Sequence, residues 1–252
     1  MAGLCNKVLL NFGQKILKIS MVLKKSSTTE LGCVHLRLKV NGQWNLKKNK
    51  INKGFVYLIS PDKIENKKFY IDLALVLSSG KVSFFQLRLK KETNLNKLII
   101  GKKIKRICKK YKVKFLINDE PILAKKLNAD GCHLGQKDMN LIKARKILKN
   151  KIIGVTCHNS INLAKKAIGD GADYLAFGSF YTSKTKTVKY RASLTVLRSI
   201  KKITSLPIVA IGGIKHDNYK KLLLNKANFL AISGYIWNNI KYKPLEAIKK
   251  LK

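Results

Sequence analysis

Eight short apolar runs recur between residue 54 and the end of this 252-residue chain, and each is followed by a stretch of helical character. The runs cover 55–59, 82–87, 113–117, 131–134, 152–156, 174–177, 208–211 and 229–232. Most do not alternate polar with apolar residues, so both faces of each strand are buried, as in parallel sheet covered by helices. Helices over 69–78, 94–110, 120–127, 140–149, 160–169, 192–204, 216–224 and 243–250 take up the return path that parallel neighbours need. Eight such units predict an α/β fold, a (β/α)8 TIM barrel. The alternative is an open doubly wound sheet, which calls for a glycine-rich fingerprint after the first strand. Ser60-Pro61-Asp62-Lys63 is not one.

Residues 1–53 stand apart as a basic N-terminal extension ahead of a barrel domain at 54–252. They carry a single acidic residue, Glu30, and end in a Lys/Asn-rich linker over 47–53. The first 25 residues suit a short basic amphipathic helix with loose membrane contact, and 34–40 alternates like a strand. A start at Met21 or later is an equal reading. Asn11, Gln14 and Lys15 interrupt any signal-peptide core, and no apolar run reaches transmembrane length. The five cysteines are scattered, odd in number and lack metal-ligand spacing, which suits a reducing, cytoplasmic setting.

The net charge of +40, from 53 basic and 13 acidic residues, raises the alternative of a nucleic-acid or membrane-surface binder. Its makeup argues otherwise. Only six of the basic residues are arginine, the side chain preferred for bidentate base and phosphate contacts, and the lysines are spread evenly. The expected partners are small phosphorylated molecules rather than a specific nucleic acid. Self-association is left open.

In a barrel the chemistry sits where strands end. Those positions offer amides, hydroxyls, cations and two carboxylates, with no Ser/His/Asp set and no zinc-type cluster. Gln86, Arg88 and Lys90 alternate, so they emerge on one face; a guanidinium fork beside a point charge suits a diphosphate. Asp119 and Asp138 follow successive parallel strands and reach the same rim, where a hard divalent cation would hold them together. Either could instead simply cap a helix. Asn118 and Thr156 join them on the rim. The hydroxyl-rich loop 179–186 could close over a ligand, with Ser183 and Thr185 donating and Lys186 reaching a phosphate. Gly212-Gly213 and Ser233-Gly234 each precede a helix and leave room for backbone N–H groups to approach an anion. His158, just past its strand, is the better site candidate among the histidines; His133, inside a strand, reads as structural.

Seven motifs then occur in order: QxRxK at 86–90, ND at 118–119, ADGxHLGQxD at 129–138, IGVTCH at 153–158, GADYLAFGSFYTSKTK at 171–186, PIVAIGGI at 207–214 and AIS at 231–233. With these, the chain from Phe55 to about Trp237 resembles the thiamine-phosphate synthase/TenI family. The resemblance implies a transferase that couples 4-amino-5-hydroxymethyl-2-methylpyrimidine diphosphate to hydroxyethylthiazole phosphate. It places the diphosphate on Gln86, Arg88, Lys90, Asn118 and Lys186, with Arg88, Lys90 and Lys186 as the catalytic cations. It implies Mg²⁺ on Asp119 and Asp138, and Thr156 where the family has Ser. The thiazole phosphate falls to Ser183, Thr185, Gly213, Ile232 and Ser233. A TenI-like thiazole phosphate aromatase, or an inactive paralogue, is the alternative within the family. Leu89 stands where the family has Glu, and the segment after Lys186 lacks the glycines expected there.

Overall fold

A computed structural model describes residues 7–12, 15–20, 54–182 and 191–252. The chain divides into two compact units, Met1–Gln43 and Trp44–Lys252. In the first, β1 (Lys7–Phe12) and β2 (Lys15–Ser20) pair antiparallel with Phe12 opposite Lys15. This corrects the expected amphipathic helix. Gly13 interrupts the helical period, and the two flanking hexads contain Val8, Ile16 and Ile19, whose branched Cβ atoms favour strand. The strand expected at 34–40 lies outside the described residues.

The second unit is a closed parallel barrel. Its strands are β3 (Val56–Ile59), β4 (Val82–Leu87), β5 (Lys114–Asn118), β6 (Gly131–Leu134), β7 (Ile152–His158), β8 (Tyr174–Gly178), β9 (Ile208–Ile211) and β10 (Phe229–Ile232). They run in chain order round the barrel, and β10 closes it on β3 with Ala231 opposite Tyr57. That pairing excludes the open sheet. The helices are α1 (Lys68–Ser78), α2 (Asn94–Lys110), α3 (Pro121–Lys126), α4 (Leu141–Leu148), α5 (Ile161–Gly169), α6 (Leu194–Lys201), α7 (Tyr219–Leu224), α8 (Gly234–Trp237) and α9 (Pro244–Lys249). The four-residue α8 leaves no periodic signal in the sequence, because one turn has no period to detect.

Two apolar layers hold this unit together. The outer one packs residues such as Leu58, Phe85, Phe115, Ile153, Leu175 and Leu230 under the helices. The inner one fills the barrel with Tyr57, Phe84, Leu116, Ile152, Tyr174 and Val209, joined by Phe229. A side chain at position 154 would collide with this filling, because a Cβ there would lie 1.8 Å from the Tyr174 ring. At the end where strands begin, Arg145 of α4 ties three segments together. Its guanidinium donates to the carbonyls of Lys149 (2.8 Å), Lys151 (2.6 Å) and Gly171 (2.8 Å) and to Asp173 (2.6 Å). The same Asp173 oxygen accepts from the Ile153 amide at 2.7 Å. Among the described residues no helix is long and apolar enough to cross a membrane.

Candidate active site

The opposite end, where strands finish, collects the polar residues. Gln86, next to last in β4, is one of the few buried polar side chains among the described residues, 2% exposed, and its Nε2 has no hydrogen-bond partner among them. A buried amide donor left unpaired is costly. Arg88 follows it. Its backbone amide donates to Ser60 Oγ at 2.9 Å, and its guanidinium pairs with Asp62 on the loop after β3. Lys90 extends to Asp119, with Nζ 2.9 Å from Oδ2.

Asn118 ends β5 directly opposite His133 of β6. Asp119 comes next in the left-handed region at φ 62°, its amide held by the His133 carbonyl at 2.8 Å. Asp138 arrives from the turn after β6 and accepts from the Gly135 amide at 2.6 Å. The two carboxyl groups are near enough that each shifts the other's protonation. Burial raises Asp119, but the bond from Asp138 and the charge of Lys90 outweigh it and hold Asp119 below the usual carboxylate range. Burial and the neighbouring Asp119 both push Asp138 up. Two carboxylates forced together beside one lysine form a hard oxygen pair that fits a divalent cation able to complete its shell from substrate phosphates. No group of three or more His, Cys, Asp or Glu suited to a metal occurs among the described residues. Next to this pair, Lys90, Lys97, Asn118, Asp119 and Glu120 line a cavity of about 190 Å³. Lys97 and Glu120, 2.5 Å apart, make one wall of it.

Across the mouth, the loop leaving β8 is stitched to the end of β9. Phe180 N donates to Ile211 O and Tyr181 N to Gly212 O, each at 3.1 Å. Gly212 and Gly213 have φ of 108° and 61°, and a Cβ on Gly213 would lie 2.3 Å from the Thr182 carbonyl oxygen. The glycines therefore serve the packing of this loop as well as any anion. Ser233 precedes α8 and donates to Ser60 O at 3.0 Å. Ile232 is 2% exposed and packs in the outer layer, so only its backbone is available to a ligand. Ser183, Thr185 and Lys186 lie outside the described residues.

His133 points into the barrel, where both ring nitrogens are bonded: Nδ1 to the Tyr174 hydroxyl and Nε2 to Thr156 Oγ1, each at 2.8 Å. Burial pushes its imidazole down to about 4, against the pull of Asp119. His158 ends β7 at φ 52°. Sequence reasoning missed Ser60, Asp62, Tyr57 and Tyr174. For Ser60 and Asp62 the signal existed, since they directly follow the first barrel strand. The tyrosines read as ordinary core aromatics.

Residues 56–236 match the family described as thiamine monophosphate synthase. The chain is 87% identical over 207 residues to a thiamine-phosphate synthase from Pelagibacter ubique (strain HTCC1062), covering 82% of this chain and 100% of that protein. A thiamine-phosphate synthase from Nitrosomonas eutropha is 39% identical over 191 residues, 75% of this chain and 90% of that one. Among solved structures, a thiamine phosphate pyrophosphorylase from Pyrococcus furiosus superposes with a TM-score of 0.69 at 28% identity, covering 79% and 94% of the two chains.

Proposed function

The chain belongs to the thiamine monophosphate synthase family, and from that premise we propose how its rim residues divide the work. The reaction is the family's condensation: the pyrimidine methyl diphosphate and the thiazole phosphate join to give thiamine phosphate and pyrophosphate. The carbon–oxygen bond to the diphosphate breaks, the electron pair leaves with pyrophosphate, and the thiazole nitrogen bonds to the freed methylene carbon. No side-chain nucleophile is needed. The protein must neutralise the departing diphosphate and align the nitrogen.

Arg88, Lys90 and Lys186 take the diphosphate charge, with Gln86 and Asn118 donating hydrogen bonds and Thr156 contributing a hydroxyl. The Nε2 of buried Gln86, without a partner among the described residues, is the observation that supports this placement. Asp119 and Asp138 would hold Mg²⁺, which when bound adds positive charge against the diphosphate oxygens. Lys90 pairs with Asp119 and lines the same cavity as Asn118. Ser183, Thr185, Gly213, Ser233 and the backbone of Ile232 take the thiazole phosphate across the mouth. The high identity to a synthase along that protein's whole length supports this reading over an aromatase.

The test is direct. Purified, folded protein given both precursors and Mg²⁺ releases pyrophosphate and forms thiamine phosphate. Absence of product at high enzyme concentration would overturn the assignment. Gln86→Leu, which fills the volume but removes the donor, raises KM for the pyrimidine diphosphate and leaves the affinity for thiazole phosphate unchanged.

A further inference from the structure

Below the rim, the barrel interior holds four polar side chains in line. The Tyr57 hydroxyl is 2.8 Å from the Tyr174 hydroxyl, which is 2.8 Å from His133 Nδ1; His133 Nε2 is 2.8 Å from Thr156 Oγ1. Tyr57 and Tyr174 are 2% and 3% exposed. Tyr174 is the hydrogen-bond partner of the Tyr57 hydroxyl, and no second one occurs among the described residues. Phe84 packs on the Tyr57 ring at 5.5 Å, so the line ends against apolar surface.

A neutral imidazole donates through one nitrogen and accepts through the other, so with the Tyr174 hydroxyl donating within the line it can run in only two senses; turned out of the line, that hydroxyl would itself be the unmet buried donor. In the first, Tyr57 donates to Tyr174, Tyr174 donates to Nδ1, and the Nε2 proton goes to Thr156. In the second, Thr156 donates to Nε2, the Nδ1 proton goes to Tyr174, and Tyr174 donates to Tyr57. The second leaves the Tyr57 O–H facing the barrel filling with no acceptor. The desolvation penalty of one unmet buried donor weights the first sense over the second by roughly ten-fold or more. The first sense also spends no proton of Thr156 inside the barrel.

We infer that Tyr57, Tyr174 and His133 form a one-way hydrogen-bond relay that makes Thr156 accept from within, so that its own hydroxyl proton is presented to the bound pyrimidine diphosphate. Tyr174 and His133 are positioning residues for the condensation, acting through Thr156. The inference rests on the assignment of Thr156 to that substrate, and the experiment separates the two.

Histidine side-chain ¹⁵N spectra of the full-length protein report the tautomer without any catalysis, the His133 signals being those lost in His133→Gln. The expected pattern is an unprotonated Nδ1 and a protonated Nε2. Tyr57→Phe keeps it, because the shortened line still ends in a hydroxyl whose one acceptor is His133. Tyr174→Phe, which removes the partner of Nδ1, yields a mixture. The reverse tautomer, or a mixture in the unaltered protein, overturns the relay. In kinetics, Tyr174→Phe lowers kcat/KM for the pyrimidine diphosphate by about five- to ten-fold, the worth of one reoriented hydrogen bond. In a Thr156→Val background the same change costs less than about two-fold, because coupled residues are not additive. Full additivity of the two substitutions overturns the route through Thr156. A silent Thr156→Val with the expected tautomer in place overturns the substrate contact of Thr156 and leaves the tautomer assignment standing.

Discussion

At Asp119 the backbone sits at φ 62°, a conformation that Asn tolerates as readily as Asp. Asp119→Asn therefore keeps the fold, with a denaturant midpoint near the unaltered value, while it removes one of two carboxylates opposite the leaving group. The expected loss is ~3–4 kcal/mol in kcat/KM, the scale for deleting one preorganised electrostatic group. Asp138→Asn loses a similar amount and recovers part of it as Mg²⁺ is raised, since weakened ligation is a binding defect. Near-unaltered activity of both variants at low Mg²⁺ would end the metal assignment. A second residue-scale effect is ionic. Burial pushes the Cys157 thiol up to about 12 from an ordinary value of 9.0. The folded chain then binds the proton more tightly than the unfolded one. This contribution is fully present below about pH 9 and is lost as pH rises toward 12, to the extent of roughly 4 kcal/mol. The stability difference between the protein and Cys157→Ala should shrink over that interval, measured by urea unfolding. Native Cys108, Cys132 and Cys157 should also resist alkylation at pH 8, being buried.

Among the elements, α4 contributes stability through Arg145, whose four hydrogen bonds join the approaches to β7 and β8. Arg145→Lys replaces a planar fork with a point donor that reaches at most one of these acceptors. It should cost ~2–3 kcal/mol in unfolding free energy while leaving kcat unchanged well below the melting temperature. The strands themselves were legible because burial on both faces leaves continuous apolar runs, and with them the places of Gln86, Asn118 and Thr156 at or near the ends of β4, β5 and β7; their roles are a proposal. Asp119 and Asp138 lie beside one another on the rim, and the metal between them is a proposal. What the sequence hid depends on contacts across strands. The Tyr57 and Tyr174 hydroxyls meet across 117 positions of chain, and nothing local marks them as polar partners. Gly212 and Gly213 suggest anion contacts in the sequence, yet the packing of Ser179 on Gly212 and of Tyr181 and Thr182 on Gly213 emerges only once β8 and β9 are adjacent. Leu89, where the family has Glu, is 4% exposed, packs in the outer layer and lines the cavity shared by Lys90 and Asp119.

For the molecule as a whole, the excess of 40 positive charges should draw in both phosphorylated substrates. KM for the pyrimidine diphosphate should rise with added salt while kcat holds, and a flat KM between 0.05 and 0.5 M, about 14 and 4 Å of Debye length, would refute steering. Deleting residues 1–53 should leave an active, folded barrel; a folded but inactive truncation would move the domain boundary. The packed filling of the barrel, from Phe229 and Ile152 up to Tyr174, has a consequence for how such a chain can change over generations. The filling lies between the two rims, so the end that carries Arg145 and Asp173 and the end that carries Asp119 and Asp138 meet different selective demands. Variants chosen for growth at high temperature should accumulate at the first rim and in the filling. Variants chosen for an altered phosphorylated substrate should accumulate at the second, and the two sets should combine freely.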